Sequence, residues 1–246
     1  MPKADPAPNP APAYVGCAGW SLPRAEQPRF PAEGTHLQRY AARFPAVEIN
    51  SSFYRPHRPT TYARWAEGVP DDFRFSVKVP KAITHTARLA DAEALLDAFL
   101  AETSALGTKL GCLLVQLPPS LQFDEETAGT FFCGLRERHD GPVACEPRHP
   151  TWFEAPAEAL LVRSRIARVA ADPARVPEAG KPGGWPGLVY YRLHGSPRIY
   201  YSDYAPAYLD DIASAMRDAV VPAWCIFDNT ASGAATANAL DLLEKL

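Results

Sequence analysis

Charged and imidazole side chains follow short apolar runs at several places along this chain. The carboxylates are Glu48, Glu146, Asp172 and Asp228; the cations are Lys78, Arg148 and Arg192; the histidines are His85, His149 and His194. Carboxylates beside an imidazole can carry out general acid–base catalysis, and nearby guanidinium groups can neutralise an anionic ligand. We therefore predict four catalytic residues, Glu146, Asp172, His194 and Asp228, with His194 as the general acid or base.

A further set of residues near the ends of these runs is predicted to bind the substrate. It comprises Trp20, Glu48, Asn50, Tyr54, Lys78, Gln116, Arg148, His149, Trp152, Arg192, Tyr200, Tyr204 and Asn229. Aromatic rings stack on sugars or bases, and cations neutralise a phosphate or carboxylate. A structural role is the alternative for each group: ion pairs that join strand ends for the charged residues, and core or lid packing for the aromatic residues.

Other features leave two interpretations open. His149 is either a substrate clamp beside Arg148 or a helix cap before Pro150. The segment 228–235 leads from an apolar run into small residues, so it is either an anion site at a helix start or an ordinary helix cap. No metal ligand and no cofactor is predicted, because Arg148 and Arg192 would repel a cation. A divalent ion shared with a substrate phosphate stays an alternative.

The apolar runs themselves are typical of buried parallel strands. They are Tyr14–Ala18, Ala46–Asn50, Arg74–Val79, Gly111–Leu117, Val143–Glu146, Ile166–Asp172, Leu188–Leu193 and Ala223–Phe227. Most are apolar on both faces, and a spacing of roughly 20 to 40 residues from the start of one run to the start of the next leaves room for a crossover helix. This alternation predicts an α/β fold with a single (β/α)₈ TIM-type barrel over residues 14–246, in which the carboxyl ends of the strands converge on one face.

The segments between the strands differ in how clearly they predict helices. Apolar residues recur at helical spacing in 37–44, 91–107, 124–135, 208–216 and 234–246, while 60–67 and 155–164 are short. Prolines and glycines fill the stretch 173–187, which predicts a loop there and one irregular βα unit.

Composition restricts the classes of function. The chain has 246 residues, 47% of them hydrophobic, and a net charge of −3, so it offers no general attraction for nucleic acids or membrane surfaces. Five cysteines without paired spacing are expected to be reduced, buried thiols. Residues 1–13 are rich in proline and alanine and are expected to form a disordered tail without an apolar signal segment. These features predict a cytoplasmic protein with no membrane span.

Nine sequence blocks, in order, resemble a known family. They are Gly16-Cys17-Ala18-Gly19-Trp20-Ser21, Val47-Glu48-Ile49-Asn50-Ser51-Ser52-Phe53-Tyr54, Phe75-Ser76-Val77-Lys78, Ile83-Thr84-His85, Lys109-Leu110-Gly111, Gln116-Leu117-Pro118-Pro119-Ser120, Glu146-Pro147-Arg148-His149-Pro150-Thr151-Trp152-Phe153, Tyr191-Arg192-Leu193-His194-Gly195 and Phe227-Asp228-Asn229. The resemblance is to the YecE-like family, domain of unknown function 72, from about Tyr14 to the end. It implies a TIM-type barrel and supplies no settled activity.

The leading functional hypothesis is an enzyme that uses carboxylate and histidine acid–base chemistry, as a hydrolase or an isomerase. Its ligand is expected to be small and anionic, such as a sugar phosphate or a nucleotide derivative. One alternative is a nucleic-acid phosphodiesterase, which needs a multi-metal cluster and a basic rim. The other is a non-catalytic protein that binds a nucleotide or single-stranded nucleic acid through aromatic residues. Nucleic acid is not the favoured partner, and the sequence assigns no oligomeric state or partner protein.

Overall fold

The computed structural model describes residues 11–246. Within them lie ten strands: β1 Ala13–Cys17, β2 Ala46–Ile49, β3 Arg74–Lys78, β4 Leu110–Gln116, β5 Val143–Glu146, β6 Ala167–Arg168, β7 Ala170–Asp172, β8 Gly183–Gly184, β9 Val189–Leu193 and β10 Ala223–Phe227. The same residues contain seven α-helices: α1 His36–Ala41, α2 Pro59–Glu67, α3 Glu93–Thr103, α4 Glu125–Arg138, α5 Ala155–Arg163, α6 Pro206–Arg217 and α7 Ala234–Leu243. Helices and strands alternate through most of the chain, which makes this an α/β fold.

The strands form two sheets in which nearly all pairs are parallel. One sheet has the order β1-β10-β9-β7 and the other the order β2-β3-β4-β5-β6-β8, with β6 and β8 as the antiparallel pair. The sheets adjoin at two places. Ala18, just after β1, forms a parallel bridge with Glu48 of β2. Val169 alone separates β6 from β7, and its N–H donates to the Cys145 carbonyl at 2.8 Å.

Both faces of the strands are buried. The outer faces pack against the helices in one large apolar cluster, to which α4 contributes Phe131, Phe132 and Leu135. The other faces form a smaller cluster that includes Ala46, Leu114, Ala144, Tyr190, Trp224 and Ile226. Burial on both faces is the reason that these strands read as continuous apolar runs.

Local signals in the sequence explain where several helices begin. The Asp124 side chain accepts a hydrogen bond from the Thr127 N–H at 2.8 Å, which caps α4. Thr35 and Gln38 form a reciprocal capping box at the start of α1. The short segments 60–67 and 155–164 do form helices, α2 and α5, each with proline in its first turn.

The stretch 173–187 is irregular, as predicted. It contains a short 3₁₀ turn, Pro177–Gly180, and the two-residue strand β8, and no α-helix. Most of the predicted 1–13 tail lies outside the described residues, and β1 begins one residue earlier than predicted, at Ala13. No helix within residues 11–246 has the length and apolar character needed to cross a lipid bilayer.

Candidate functional site

A layer of polar side chains lies directly beyond the smaller apolar cluster. Successive side chains of a strand point to opposite faces, so residues two apart share a face. Each polar residue follows a buried residue by two positions: Glu48 follows Ala46, Gln116 follows Leu114, Glu146 follows Ala144, Arg192 follows Tyr190 and Asp228 follows Ile226. The strand ends of both sheets thereby direct these groups toward one place.

Arg192 is at the centre of this layer and is completely buried. Its Nε and Nη2 donate to the two carboxylate oxygens of Glu48 at 2.9 and 2.8 Å. Its Nη1 donates to Glu146 at 3.0 Å, and its Nη2 lies 3.0 Å from the Asp228 carboxylate. Burial alone would lower the pKa of Arg192, but these three carboxylates hold it well above the ordinary value. One guanidinium therefore neutralises acidic groups from both sheets.

The His194 ring lies between two carboxylates. Its Nε2 is 3.0 Å from Glu146 Oε1, and its Nδ1 is 3.1 Å from Asp228 Oδ2. Burial opposes the charged ring, but the two carboxylates outweigh burial and Arg192, so the pKa of His194 is raised. Each ring nitrogen faces a carboxylate oxygen, which favours the imidazolium form, while Arg192 Nη1, 3.4 Å from Nε2, opposes it.

Glu146 is the most highly connected carboxylate. Besides His194 and Arg192, it accepts hydrogen bonds from Arg148 Nε and Nη2, both at 3.0 Å, and from Gln116 Nε2 at 3.0 Å. Burial would raise the pKa of Glu146, but the three cations hold it well below the ordinary value. Glu146 is therefore an ionised group that positions its neighbours.

A pocket of about 360 Å³ opens beside His194. We call it the His194 pocket; its lining includes Glu146, Arg148, Arg175, His194, Ile199 and Tyr200. Arg148 and Arg175 outnumber the single carboxylate of the lining, so the lining favours an anionic ligand. Tyr200 is 41% exposed, and its ring meets the His194 ring edge-on at 6.1 Å.

Arg175 is the functional candidate that sequence reasoning missed. It is exposed and lies in the irregular stretch after β7. A loop without a repeating pattern does not reveal which side chains face a pocket, so no signal in the sequence marked this residue.

Lys78, the last residue of β3, also belongs to the polar layer. Its side chain is only 5% exposed, and its Nζ lies 4.1 Å from the centroid of the Phe53 ring. Burial and then the charge of Arg192 lower the pKa of Lys78 to about 8, although nearby carboxylates act in the opposite direction. Burial and the charges of Lys78 and Arg148 also lower the pKa of His85.

Three residues predicted to bind the substrate line a different pocket. Trp20, Asn50 and Tyr54 border a pocket of about 450 Å³, the Trp20 pocket, together with Ser51 and His36. The structure thus places them beside one another, and none of them lines the His194 pocket.

Three other residues predicted to bind the substrate are buried and contact groups of the protein itself. Trp152 is 1% exposed, donates to the Leu121 carbonyl at 2.9 Å and packs in the core. Tyr204 is buried, and its hydroxyl accepts from the Gly195 N–H at 2.8 Å. Asn229 is fully buried and donates to Asn238 and to the Ser202 carbonyl. All three fix loops beyond the strand ends.

The contacts of two further predicted residues bear on their predicted roles. The Asp172 carboxylate accepts from the Tyr204 hydroxyl at 2.8 Å, so Asp228 alone of the two aspartates contacts the His194 ring. His149 Nδ1 accepts from the Thr151 N–H at 3.4 Å and caps a 3₁₀ turn, which favours the cap over the clamp. No group of three or more His, Cys, Asp or Glu within residues 11–246 is arranged to hold a metal ion.

Comparison with known proteins agrees with the resemblance found in the sequence. The family described as "Protein of unknown function DUF72" matches residues 14–246. The chain belongs to the DUF72 family. "UPF0759 protein YecE" of Escherichia coli (strain K12) is 34% identical over 135 residues, 51% of this chain and 48% of that protein. "UPF0759 protein YunF" of Bacillus subtilis (strain 168) is 29% identical over 149 residues, 58% of this chain and 53% of that protein. The matched region spans about half the length of these curated relatives.

Solved DUF72 structures share the fold. A DUF72 family protein (EF0366) from Enterococcus faecalis V583 superposes with a TM-score of 0.79 and 23% identity, covering 95% of each chain. A DUF72 family protein (TM1631) from Thermotoga maritima MSB8 gives a TM-score of 0.77 and 24% identity, covering 95% of this chain and 98% of that chain. The α/β architecture is therefore common to this DUF72 chain and both proteins.

Proposed function

We propose that this DUF72 protein is an enzyme that transfers a proton to or from a small anionic ligand in the His194 pocket, as an isomerase or a hydrolase. One observation carries the proposal: His194 contacts two ionised carboxylates and lines a pocket whose other charges are mainly positive. An imidazolium can act as a general acid, and the imidazole left after proton donation can act as a general base.

The neighbouring groups have distinct roles in this proposal. Glu146 and Asp228 fix the orientation and the charge of His194. Arg148 and Arg175 bind the anionic part of the ligand through charge-assisted hydrogen bonds, and the exposed Tyr200 ring covers its apolar part. Arg192 neutralises the carboxylates that would otherwise repel an anion.

The size of the His194 pocket favours a small ligand over a polymer. Its volume of about 360 Å³ is at the small end of the range for small-molecule sites, as a sugar phosphate or a nucleotide derivative requires. The phosphodiesterase alternative needs several metal ions, and residues 11–246 offer no suitable group of ligands. The net charge of −3 also argues against general binding of nucleic acid.

We further infer that the two sheets make one eight-stranded barrel, with β6 and β7 as a single interrupted strand. The Ala18–Glu48 bridge and the single residue between β6 and β7 support this, as does Arg192, which joins carboxylates of both sheets. Five free thiols fit a reducing compartment such as the cytoplasm.

Thermal-shift and turnover measurements test the proposal. We titrate inorganic phosphate, ribose 5-phosphate and AMP into the wild-type protein and into the Arg175→Gln variant. The control is Arg43→Gln, because Arg43 is exposed and lies just before β2, at the other end of the strands. We expect Arg175→Gln to weaken phosphate binding about tenfold, which corresponds to about 1.4 kcal/mol, and the control to leave it unchanged. If Glu146→Gln and His194→Ala both leave turnover and ligand-induced stabilisation intact, the proposal is wrong.

A further inference from the structure

A serine and a histidine form a hydrogen-bonded pair beside the Trp20 pocket. Ser51 Oγ lies 2.8 Å from His57 Nε2, and Ser51 lines the pocket. Ser51 begins the 3₁₀ turn Ser51–Phe53, which follows β2, and His57 lies two residues before α2. A serine hydroxyl that contacts an imidazole and also borders a cavity has the arrangement of an activated nucleophile.

The His57 ring is held in place as an uncharged base. It meets the rings of Tyr62 and Trp65 edge-on, with centroids 5.7 and 5.1 Å away. Burial and then the charge of Arg55 lower the pKa of His57, so the ring is mostly uncharged at pH 7. In the tautomer with its proton on Nδ1, Nε2 can accept the hydroxyl proton of Ser51.

Asn50 adds an unpartnered polar group to the same pocket. Its side chain lines the Trp20 pocket beside Ser51, and within residues 11–246 its Oδ1 atom is buried and makes no hydrogen bond. Buried polar atoms nearly always have a partner, so this orphan points to a ligand group that would satisfy it. The same amide carries two N–H donors, which can hydrogen-bond a carbonyl oxygen that becomes negative.

The lining of the Trp20 pocket indicates the class of ligand. Among the described residues, the pocket of about 450 Å³ has no carboxylate, ammonium or guanidinium group in its lining. The Trp20 and Tyr54 rings provide apolar surface instead. A charged ligand would lose its hydration there without gaining a charged partner, so the pocket favours an uncharged molecule. The His194 pocket, with Arg148 and Arg175, has the opposite preference.

We propose that Ser51 is the nucleophile of a second catalytic site, which hydrolyses small uncharged esters in the Trp20 pocket. This activity goes beyond the proposed function, because it uses another pocket, other residues and another class of ligand. His57 is the general base and Asn50 the donor to the carbonyl oxygen.

The reaction has two steps that balance. Ser51 Oγ attacks the ester carbonyl carbon, its proton passes to His57 Nε2, and the Asn50 amide donates to the carbonyl oxygen. The bond to the alcohol oxygen then breaks, and His57 returns the proton to that oxygen. Water attacks the resulting acyl-serine by the same route and releases the acid. Ester and water thus give acid and alcohol with no change in oxidation state.

Covalent labelling tests the inference on the wild-type protein. Diisopropyl fluorophosphate is an uncharged reagent that forms a P–O bond with an activated serine and releases fluoride. Peptide mass mapping locates the adduct. We expect Ser51 to be labelled at least about tenfold faster than Ser21, an exposed serine that lines the same pocket. Equal labelling of the two serines, or no label on Ser51, overturns the inference.

Turnover of p-nitrophenyl acetate, an uncharged ester, tests the roles of the residues. We expect Ser51→Ala to abolish both the label and the turnover, and His57→Gln to slow both by about 100-fold. The control is Ser104→Ala, because Ser104 is exposed and is not part of the pocket lining. Turnover by Ser51→Ala at the wild-type rate overturns the inference.

Inorganic phosphate distinguishes this site from the His194 pocket. Phosphate should leave the labelling of Ser51 unchanged, because the Trp20 pocket offers it no cation; suppression of the label by phosphate contradicts a separate site for uncharged ligands. Arg175-dependent phosphate binding without selective labelling of Ser51 supports the proposed function and overturns this inference. Selective labelling without any phosphate binding supports the esterase and contradicts the anion pocket. The mapping uses wild-type protein, so its result does not depend on the folding of a variant.

Discussion

Replacement of Arg192 by methionine perturbs the polar layer most strongly. Methionine has a similar length and no charge, so Arg192→Met leaves Glu48, Glu146 and Asp228 near one another without their shared guanidinium. Glu48 is affected most, because Arg192 is its sole ion-pair partner within residues 11–246. Glu146 and Asp228 retain His194.

The expected loss of stability is large. Removal of one partner from a buried ion pair typically costs about 3–5 kcal/mol, and Arg192 is paired with three carboxylates. We therefore expect Arg192→Met to lower the free energy of unfolding by at least about 5 kcal/mol at pH 7. The free energy of unfolding of a domain is typically about 5–15 kcal/mol, so the variant will be barely folded.

A second substitution identifies the cause. Glu48→Gln in the Arg192→Met background removes the most isolated carboxylate, so the double variant is expected to be more stable than Arg192→Met alone. In the wild-type background, Glu48→Gln is expected to lower the free energy of unfolding, because it removes the carboxylate from the Arg192–Glu48 ion pair.

Urea unfolding at pH 7 and at about pH 5 measures these changes, with Arg43→Met as the surface control. The loss in free energy of unfolding caused by Arg192→Met should be smaller at the lower pH, because carboxylates that have lost their cation take up protons more readily. The reasoning is refuted if Arg192→Met lowers the free energy of unfolding by less than about 1 kcal/mol at pH 7, or if the loss is the same at both pH values.

Three further variants test other parts of the structure. The raised pKa of His194 contributes stability that is fully present below the ordinary pKa of about 6.5 and is lost as pH rises through the folded pKa. His194→Gln should therefore flatten the fall in Tm as pH rises above about 6.5, and an unchanged curve contradicts this. Tyr204→Phe leaves the Gly195 N–H without its acceptor and should lower the free energy of unfolding by about 1–3 kcal/mol in urea; no loss argues against that hydrogen bond. Trp152→Ala should cost about 3–5 kcal/mol yet leave phosphate affinity unchanged by calorimetry; weaker binding by folded protein would return Trp152 to the ligand site.

Strand ends could be located from the sequence because buried parallel strands have a simple pattern. The predicted bounds of Val143–Glu146 and Ala223–Phe227 match β5 and β10 exactly in residue number. Residues that follow such runs converge, and the structure does bring Glu146, Arg192, His194 and Asp228 into contact. The apolar runs and the parallel-strand topology that they predict were sufficient to bring these four side chains together.

The rest of the site depends on features without a periodic signal. The run that ends at Asp172 is interrupted at Val169, and alternation along the run did not reveal that the Asp172 carboxylate contacts Tyr204 instead of His194. Trp152 and Arg175 lie in segments between strands, where the path of the backbone decides whether a side chain enters the core or a pocket. Long-range packing sets that path, and the sequence of the segment does not encode it by itself.

The most direct test of the central claim is an NMR titration of His194 with ¹⁵N-labelled imidazole, with and without inorganic phosphate. We expect the His194 pKa to lie above about 6.5 in the free protein and to rise further when phosphate binds, because an added anion favours the imidazolium. A pKa at or below about 6.5 that phosphate does not change would contradict the proposed acid–base site.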